Sequence, residues 1–257
     1  MKFGIIKERK NPPDRRVVFT PEELVRLQSE HPEAEVKVES SDIRIFSDDQ
    51  YRNLGLNVTT DMTDCDVLFG VKEVPIDALI PNKKYFFFSH TIKKQPYNRK
   101  LLQAILAKNI ELYDHETIVD ATNHRLIGFG RYAGLVGAYN GFRGFGIKYD
   151  LFTLPKAETL SGKEDLIARL KRQTLPNIKI VLTGHGKVGM GAKEILDGIK
   201  IKQVSVEDFL NKKYTEPVYT QIDVLDYNKR KDGQVLDNND FYKNPQDYIS
   251  DFERFTK

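Results

Sequence analysis

Short apolar runs separated by amphipathic stretches dominate the first half of the chain. An apolar run bounded by polar residues is typical of a strand buried in a parallel sheet. Such runs occur at Phe3–Ile6, Val67–Val71, Tyr85–Phe88, Ile110–Tyr113 and Leu126–Phe129. Residues 34–38 instead alternate between apolar and charged side chains, which predicts a strand with one face toward water.

Helix-start signals fall between these predicted strands. Thr20, Pro21 and Glu23 form the pattern of a capping box with proline at the first helical position. Ser47 and Gln50 form a second capping box. Residues 98–108 place leucine and isoleucine on one helical face. The alternation of strands and helices predicts a first α/β unit with a largely parallel sheet.

Small residues are concentrated in Arg131–Lys148, where glycine and alanine recur at helical spacing. An interior helical glycine costs about 1 kcal/mol, so such a helix needs a close packing partner to offset it. We predict a long helix here that joins two lobes. The predicted division is a substrate lobe over residues 1–130, a connecting helix over 131–150 and a nucleotide-binding lobe over 151–257.

The stretch IKIVLTGHGKVGMGA, residues 178–192, carries the strongest motif of the chain. A buried strand is followed by Gly184, Gly186 and Gly189 in G-x-G-x-x-G spacing and then by a predicted helix. These glycines allow a tight turn, close approach of a pyrophosphate and close packing of helix on strand. Lys187 and Val188 then lie at the helix start, which favours anions. The alternative is a glycine-rich turn without a ligand.

An acidic residue follows the next predicted strand, Lys202–Val206. Asp208 lies 208 − 189 = 19 positions after the last motif glycine, near the offset at which a carboxylate meets the adenosine ribose. An acid there favours NAD over NADP, because it repels a 2′-phosphate. The predicted fold class is therefore α/β, with two Rossmann-like lobes of mostly parallel strands. Only two or three strands can be counted after residue 150, so we expect the second lobe to be incomplete.

Composition and charge exclude several classes of protein. Forty basic and 37 acidic residues leave a net charge of +3, too balanced to indicate a nucleic-acid partner. The sequence has one cysteine, Cys65, which excludes an internal disulfide and fits a reducing compartment. Neither a membrane-spanning run nor a signal-peptide core is visible, so we expect a cytoplasmic protein without a membrane partner.

Polar residues follow several strands of the first predicted lobe, among them Lys72, Glu73, His90 and Glu116. Ligands on open parallel sheets bind outside the carboxyl ends of the strands. Partial desolvation lowers a lysine pKa, and histidine transfers protons near neutral pH. The alternatives are a solvated Lys-Glu surface pair and a structural histidine. Neither metal-ligand spacing nor a G-x-S-x-G motif is visible, so we expect no metal and no serine hydrolase.

These residues resemble a known superfamily. The opening MKFGIIKERK followed by RRVVFTPEEL is similar to that of alanine dehydrogenases, transhydrogenases and lysine-forming saccharopine dehydrogenases. VKEVP and FFFSH match the next landmarks of that superfamily. YDHETIVD followed by FGRYAGLVGAYNGF resembles the saccharopine dehydrogenase branch in particular. The resemblance covers nearly the whole chain.

The resemblance implies a role for each matching residue. Lys72 and His90 match the catalytic acid–base pair, and Arg16 matches the arginine that holds a substrate carboxylate. Glu73 and Glu116 match acidic residues near the substrate that tune these groups. Gly184, Gly186, Gly189 and Asp208 match the NAD fingerprint, and Arg131 falls close to the cofactor side.

The implied activity is that of an NAD-dependent oxidoreductase acting on an amino acid, with saccharopine converted to lysine and 2-oxoglutarate. Its substrate is a small molecule. An alanine dehydrogenase is the first alternative, disfavoured by the FGRYAGLVGA stretch. Because family members continue beyond the length of this chain, the second alternative is a truncated nucleotide-binding protein without activity.

Overall fold

A computed structural model describes residues 1–256 of the chain, which form two compact units. Unit 1 comprises Met1–Gly128, and unit 2 begins at Phe129. Each unit has its own parallel sheet and its own apolar core. The structure confirms the predicted α/β class.

Unit 1 is built on a six-stranded sheet in the order β3-β2-β1-β4-β5-β6, with every pairing parallel. This is the doubly wound order of nucleotide-binding folds, with a reversal between β1 and β4. The strands are β1 Lys2–Ile5, β2 Glu35–Glu39, β3 Asn57–Thr59, β4 Val67–Phe69, β5 Lys84–Phe87 and β6 Glu111–Asp114. Since all six run in one direction, their carboxyl ends share one edge of the sheet.

Three α-helices accompany this sheet: α1 Pro21–Glu30, α2 Asp48–Arg52 and α3 Arg99–Ala107. Both predicted capping boxes form. Thr20 Oγ1 accepts from the Glu23 backbone N–H at 3.2 Å, and Glu23 Oε2 accepts from the Thr20 N–H at 2.8 Å. Ser47 and Gln50 make the same reciprocal pair at the start of α2. Local hydrogen bonding therefore sets the start of both helices.

Two features of unit 1 differ from the sequence prediction. The predicted strand Leu126–Phe129 is wrong: these four residues form no strand, an isolated bridge joins Val119 to Arg125 just before them, and a helix starts at Gly130 directly after them. Leu126 is 60% exposed, so its apolar run does not mark burial. β3 was not predicted, because its three residues, NVT, carry too little apolar pattern to be distinguished from a loop.

Unit 2 contains a three-stranded parallel sheet in the order β7-β9-β8 and a separate antiparallel pair. Its helices are α4 Gly130–Lys148, α5 Lys163–Lys171, α6 Lys187–Gly198, α7 Val206–Asn211 and α8 Asn238–Lys243. Its strands are β7 Lys179–Thr183, β8 Lys202–Gln203, β9 Val218–Ile222, β10 Asn228–Arg230 and β11 Tyr248–Ser250. The long glycine-rich helix is confirmed as α4.

The segment after the glycine motif departs from the prediction. The expected strand Lys202–Val206 is only two residues long, because Ser205 caps a helix: its side chain accepts from the Asp208 backbone N–H at 3.1 Å. β9 lies between β7 and β8, and the sequence pattern does not predict this strand order. The antiparallel β10–β11 pair, Asn228–Arg230 with Tyr248–Ser250, was not predicted from the sequence.

Glycines allow the backbones of α4 and α6 to touch. A Cβ added at Gly134 would lie 2.0 Å from the Val188 carbonyl oxygen, and one at Gly191 would lie 2.0 Å from the Arg131 carbonyl oxygen. Real Cβ atoms do not approach a backbone oxygen this closely, so both positions require glycine. This contact holds α4 against the first turns of α6, where the glycine motif lies.

Gly134→Ala is expected to destabilise unit 2 by about 2–3 kcal/mol, because backbone atoms must move to admit the new methyl group. Urea unfolding followed by circular dichroism measures this. Gly137→Ala is the matched control on the same helix, since among the described residues nothing lies within 4 Å of a Cβ there. It is expected to be neutral or to stabilise by up to about 1 kcal/mol through helix propensity. Equal effects of the two substitutions would contradict the packing described here.

Candidate functional site

Lys72 and His90 lie at the same edge of the unit 1 sheet. Lys72 follows β4 and His90 follows β5, and these strands are parallel neighbours. The buried ring of Phe88 connects them: Lys72 Nζ is 5.9 Å from its centroid, and the His90 ring stacks on it with centroids 6.3 Å apart. The structure therefore brings together the two residues predicted as an acid–base pair.

Glu73 joins His90 to a third residue. His90 Nδ1 and Glu73 Oε1 are 2.6 Å apart, and Lys10 Nζ donates to Glu73 Oε2 at 3.0 Å. The side chains of Glu73 and His90 are 15% and 17% exposed, so their interaction is shielded from bulk water. Lys10 was not identified from the sequence, since it lies 63 positions from Glu73 in a polar loop.

The ionisation of Glu73 determines which nitrogen of His90 carries the hydrogen. Burial acts to raise the pKa of Glu73, but hydrogen bonds from its own backbone N–H, Lys10 and His90 hold it below its usual range. An ionised carboxylate only accepts, so neutral His90 must carry its hydrogen on Nδ1. Nε2 is then the nitrogen that carries no hydrogen and can accept a proton.

The backbone of His90 is in the left-handed region, with φ of 55°. A non-glycine residue in this region is uncommon and costs energy, which the surrounding structure must offset. Asn98, which is 5% exposed, donates from Nδ2 to the His90 carbonyl oxygen at 3.3 Å. The conformation turns the chain sharply after β5 and holds the imidazole beside Glu73.

Burial and positive neighbours weaken the basicity of Lys72. Partial burial lowers its pKa, Arg16 and Lys10 lower it further, and Glu73 and Asp14 oppose the shift. Its pKa lies below the usual value of 10.5 as a result. A lysine that loses its proton more readily is suited to acid–base work.

Glu8 supports the backbone that carries Lys72. Its carboxylate is 8% exposed and accepts from the Val71 N–H at 2.7 Å and the Lys72 N–H at 2.9 Å. Burial raises the pKa of Glu8, and these two hydrogen bonds partly offset that effect. Glu8 was not identified from the sequence. Its partners lie 63 and 64 positions away, so no local signal identifies it.

Arg16, predicted to hold a substrate carboxylate, is paired with Asp14. Arg16 Nε lies 2.9 Å from Asp14 Oδ1, and Nη2 lies 2.5 Å from Asp14 Oδ2. This pairing holds the pKa of Asp14 below its usual range. Because Arg16 also lowers the pKa of Lys72, its charge acts on the same cluster. The carboxylate-binding role remains a prediction.

Glu116 contacts a neighbouring segment. Its Oε1 lies 3.3 Å from Lys93 Nζ and 3.4 Å from Arg125 Nη2. Lys93 ends the short helical turn that directly follows His90, so Glu116 is linked to the His90 segment through Lys93. Its second oxygen, Oε2, is buried and makes no hydrogen bond with the described residues.

The glycine motif of unit 2 adopts the geometry its spacing predicts. Gly184 directly follows β7 and has a φ of 83°, a conformation that favours glycine. A Cβ at Gly189 would lie 2.1 Å from the Gly184 carbonyl oxygen, so this glycine permits the close approach of α6 to the turn. A Cβ at Gly186 would meet no described atom within 4 Å, which leaves space in front of the helix start.

Lys187 and Val188 occupy the first turn of α6, directly after Gly186. Within residues 1–256, no side-chain hydrogen bond caps this helix. The first N–H groups of a helix have no partner within it, and they carry partial positive charge. An uncapped start next to open space fits a pyrophosphate.

Two residues predicted to contact the cofactor have partners elsewhere in unit 2. Asp208 lies in the first turn of α7, not after a strand, and its Oδ1 is 2.9 Å from Lys212 Nζ. Arg131 forms a two-point ion pair with Glu194 of α6, at 2.5 Å and 2.7 Å. The expectation that Asp208 follows a strand is therefore wrong, and the cofactor role of Arg131 stays a prediction.

An apolar groove of about 680 Å³ lies between α4 and β7 within unit 2. Small residues of α4, including Gly137 and Gly141, form one wall, and Ile180 and Leu182 of β7 contribute to the other. The groove reaches Gly184 and Gly186 of the motif.

No helix among the described residues is both long and apolar enough to cross a membrane.

Comparison with known proteins identifies relatives of the chain. Residues 4–136 match the family described as alanine dehydrogenase/PNT, N-terminal domain. An alpha-aminoadipic semialdehyde synthase of Arabidopsis thaliana is 28% identical over 95% of this chain and 27% of its own length. An NAD(+)-dependent, L-lysine-forming saccharopine dehydrogenase of Yarrowia lipolytica is 27% identical over 67% of this chain and 51% of its own. The chain thus spans about a quarter to a half of these relatives.

A solved L-alanine dehydrogenase has a similar fold, with a TM-score of 0.56 at 19% identity over 85% of this chain and 60% of that protein. The likeness agrees with the parallel sheet and doubly wound order of unit 1. The family match covers more than half of the 257 residues. The chain belongs to the alanine dehydrogenase/PNT family, and its curated relatives support the saccharopine dehydrogenase branch.

Proposed function

We propose that this chain takes part in NAD-dependent oxidative deamination of an amino acid, with saccharopine as the substrate and lysine and 2-oxoglutarate as the products. The observation that carries the proposal is the cluster of Lys72, Glu73 and His90 at one strand edge, in a chain whose relatives include lysine-forming saccharopine dehydrogenases. The chain spans only part of the length of those relatives.

The glycine loop of unit 2 is the proposed cofactor site. The open space at Gly186 and the uncapped start of α6 fit a pyrophosphate, with the first-turn N–H groups as donors. When bound, the nicotinamide ring of NAD supplies the hydride acceptor for the reaction. The contribution of this chain is to hold the diphosphate at a fixed backbone turn.

His90 and Lys72 supply the proton transfers. His90 Nε2 takes the proton from the substrate amine, while Glu73 stabilises the resulting imidazolium through Nδ1. Loss of that proton together with a hydride from the adjacent carbon, for which NAD would be the acceptor, would give an imine. Water would then add to the imine, and collapse of the carbinolamine would release lysine and 2-oxoglutarate. Lys72, with its lowered pKa, exchanges protons with this water. Arg16 is proposed to hold a substrate carboxylate through its guanidinium.

Two other functions remain open to test. Alanine deamination would use the same groups on a smaller substrate, and the fold similarity to L-alanine dehydrogenase is compatible with it. A protein that binds a dinucleotide without turnover would need only the loop of unit 2. The choice of substrate distinguishes alanine deamination from the proposed reaction. NADH binding without catalysis would identify a dinucleotide-binding protein.

The chain is expected to oxidise NADH in the presence of lysine and 2-oxoglutarate, and not with pyruvate and ammonia. Lys72→Met should lower turnover by about 10²–10⁴-fold, the usual contribution of an acid–base group. Lys84→Met is the control, because Lys84 lies at the opposite end of β5 and pairs with Glu111. Absorbance at the NADH band follows the reaction.

Undiminished turnover in Lys72→Met would remove Lys72 from the mechanism. Activity with pyruvate and ammonia alone would favour the alanine reaction. NADH binding without turnover on any of these substrates would favour a nucleotide-binding protein.

Gly186→Ala tests the cofactor loop directly. The added methyl group meets no described protein atom, so folding should be preserved, but it occupies the space proposed for the pyrophosphate. NADH affinity should fall at least about tenfold, as measured by fluorescence titration. Gly144→Ala on α4, where a Cβ also meets nothing within 4 Å of the described structure, should leave affinity unchanged. Unaltered NADH binding by Gly186→Ala would count against a pyrophosphate at this turn.

A further inference from the structure

The strand order of unit 2 identifies a different acidic residue beside the glycine loop. β9 pairs with β7 along its full length, from Val218 to Ile222, and separates β7 from β8. Neighbouring strands are about 4.8 Å apart, so the carboxyl end of β8 lies two strand spacings from β7. The strand that ends beside the loop is β9, and the residue after it is Asp223.

Hydrogen bonds fix the end of β9 to the glycine loop. The Gly184 N–H donates to the Ile222 carbonyl oxygen at 2.7 Å, and Gln221 Nε2 donates to the Gly184 carbonyl oxygen at 2.8 Å. His185, inside the loop, places Nδ1 at 4.0 Å from Asp223 Oδ2. Asp223 is therefore held at a defined distance from the turn that carries Gly184 and Gly186.

One oxygen of Asp223 has a structural role, and the side chain is partly exposed to solvent. Oδ1 accepts from the Val224 N–H at 2.7 Å, which orients the carboxylate. Oδ2 is too far from His185 for a hydrogen bond, and 39% of the side chain is exposed. The Asp223 backbone N–H donates to Asp226 Oδ2 at 2.6 Å, so the turn itself is also held.

We propose that Asp223 is the carboxylate that accepts the adenosine ribose hydroxyls, and that it selects a dinucleotide without a 2′-phosphate. This inference rests on the proposed binding of a dinucleotide at the glycine loop. A carboxylate beside the ribose accepts hydrogen bonds from free hydroxyls and repels the negative charge of a 2′-phosphate. Its position, beside β7 and next to the loop, is the one that the sequence assigned to Asp208.

Two features of Asp208 favour the assignment of this role to Asp223. Its carboxylate pairs with Lys212 one helical turn away, and its helix, α7, packs through Phe209 against Val218 and Ile222 of β9. The offset from the last glycine fits Asp208, but that offset assumes that the second strand pairs directly with the motif strand. Here β9 takes that place.

Titration of the full chain with NADH and NADPH tests the assignment. Asp223→Asn should weaken NADH binding about tenfold and raise the ratio of NADPH to NADH affinity by at least that factor. Asp223→Ser is the second variant, because a serine keeps an acceptor for the Val224 N–H while removing the charge. Asp208→Asn is the matched control and should change neither affinity by more than about twofold. Circular dichroism confirms folding of each variant.

Three results overturn the proposal. Loss of NADH affinity in Asp208→Asn with none in the Asp223 variants returns the role to Asp208. Unchanged affinities in all variants show that neither carboxylate meets the ribose. If the unsubstituted chain binds neither dinucleotide, the proposed function fails first, and the inference fails with it.

Discussion

Parallel strands end at one edge of their sheet, and the candidate chemistry of unit 1 depends on this constraint. Lys72 and His90 are far apart in sequence, yet the parallel pairing of β4 with β5 places them around one phenylalanine ring. Glu73 then connects His90 with Lys10, and Glu8 reaches from the end of β1 to the backbone of Lys72. The reversal of strand order between β1 and β4 brings these three strand ends together.

Local signals in the sequence were sufficient for much of the fold. The capping box at Thr20 and Glu23 involves neighbours three positions apart, so its residues predict its hydrogen bonds. The small residues of α4 likewise predict a close packing contact, but they do not identify the element that α4 contacts. The identity of that partner, α6, follows only from the tertiary contact at Gly134 and Gly191.

Non-local pairing explains what the sequence could not provide. Ser205 is compatible with a strand interior or with a helix cap, and only the completed fold selects the cap. The insertion of β9 between β7 and β8 depends on backbone pairing across about forty residues, which leaves no periodic signal near Asp208. Glu8 and Lys10 were missed for the same reason, because each acts on residues more than sixty positions away.

The two units divide the proposed function between them. Unit 1 supplies ionisable groups whose protonation depends on burial and on neighbouring charges. Unit 2 supplies a backbone turn whose glycines have no side chains and so leave space for a ligand. His90 adopts a left-handed backbone conformation that most residues avoid, and this conformation costs energy that the rest of unit 1 must offset.

The hydrogen bond between His90 and Glu73 is the central feature of this account, and the tautomer of His90 tests it most directly. Nitrogen-15 NMR of the imidazole, at a pH where His90 is neutral, distinguishes a hydrogen on Nδ1 from one on Nε2. The account predicts the Nδ1–H form, with Nε2 left basic, and a shift away from that form in Glu73→Ala. A neutral His90 that carries its hydrogen on Nε2 would contradict the acid–base role proposed for it.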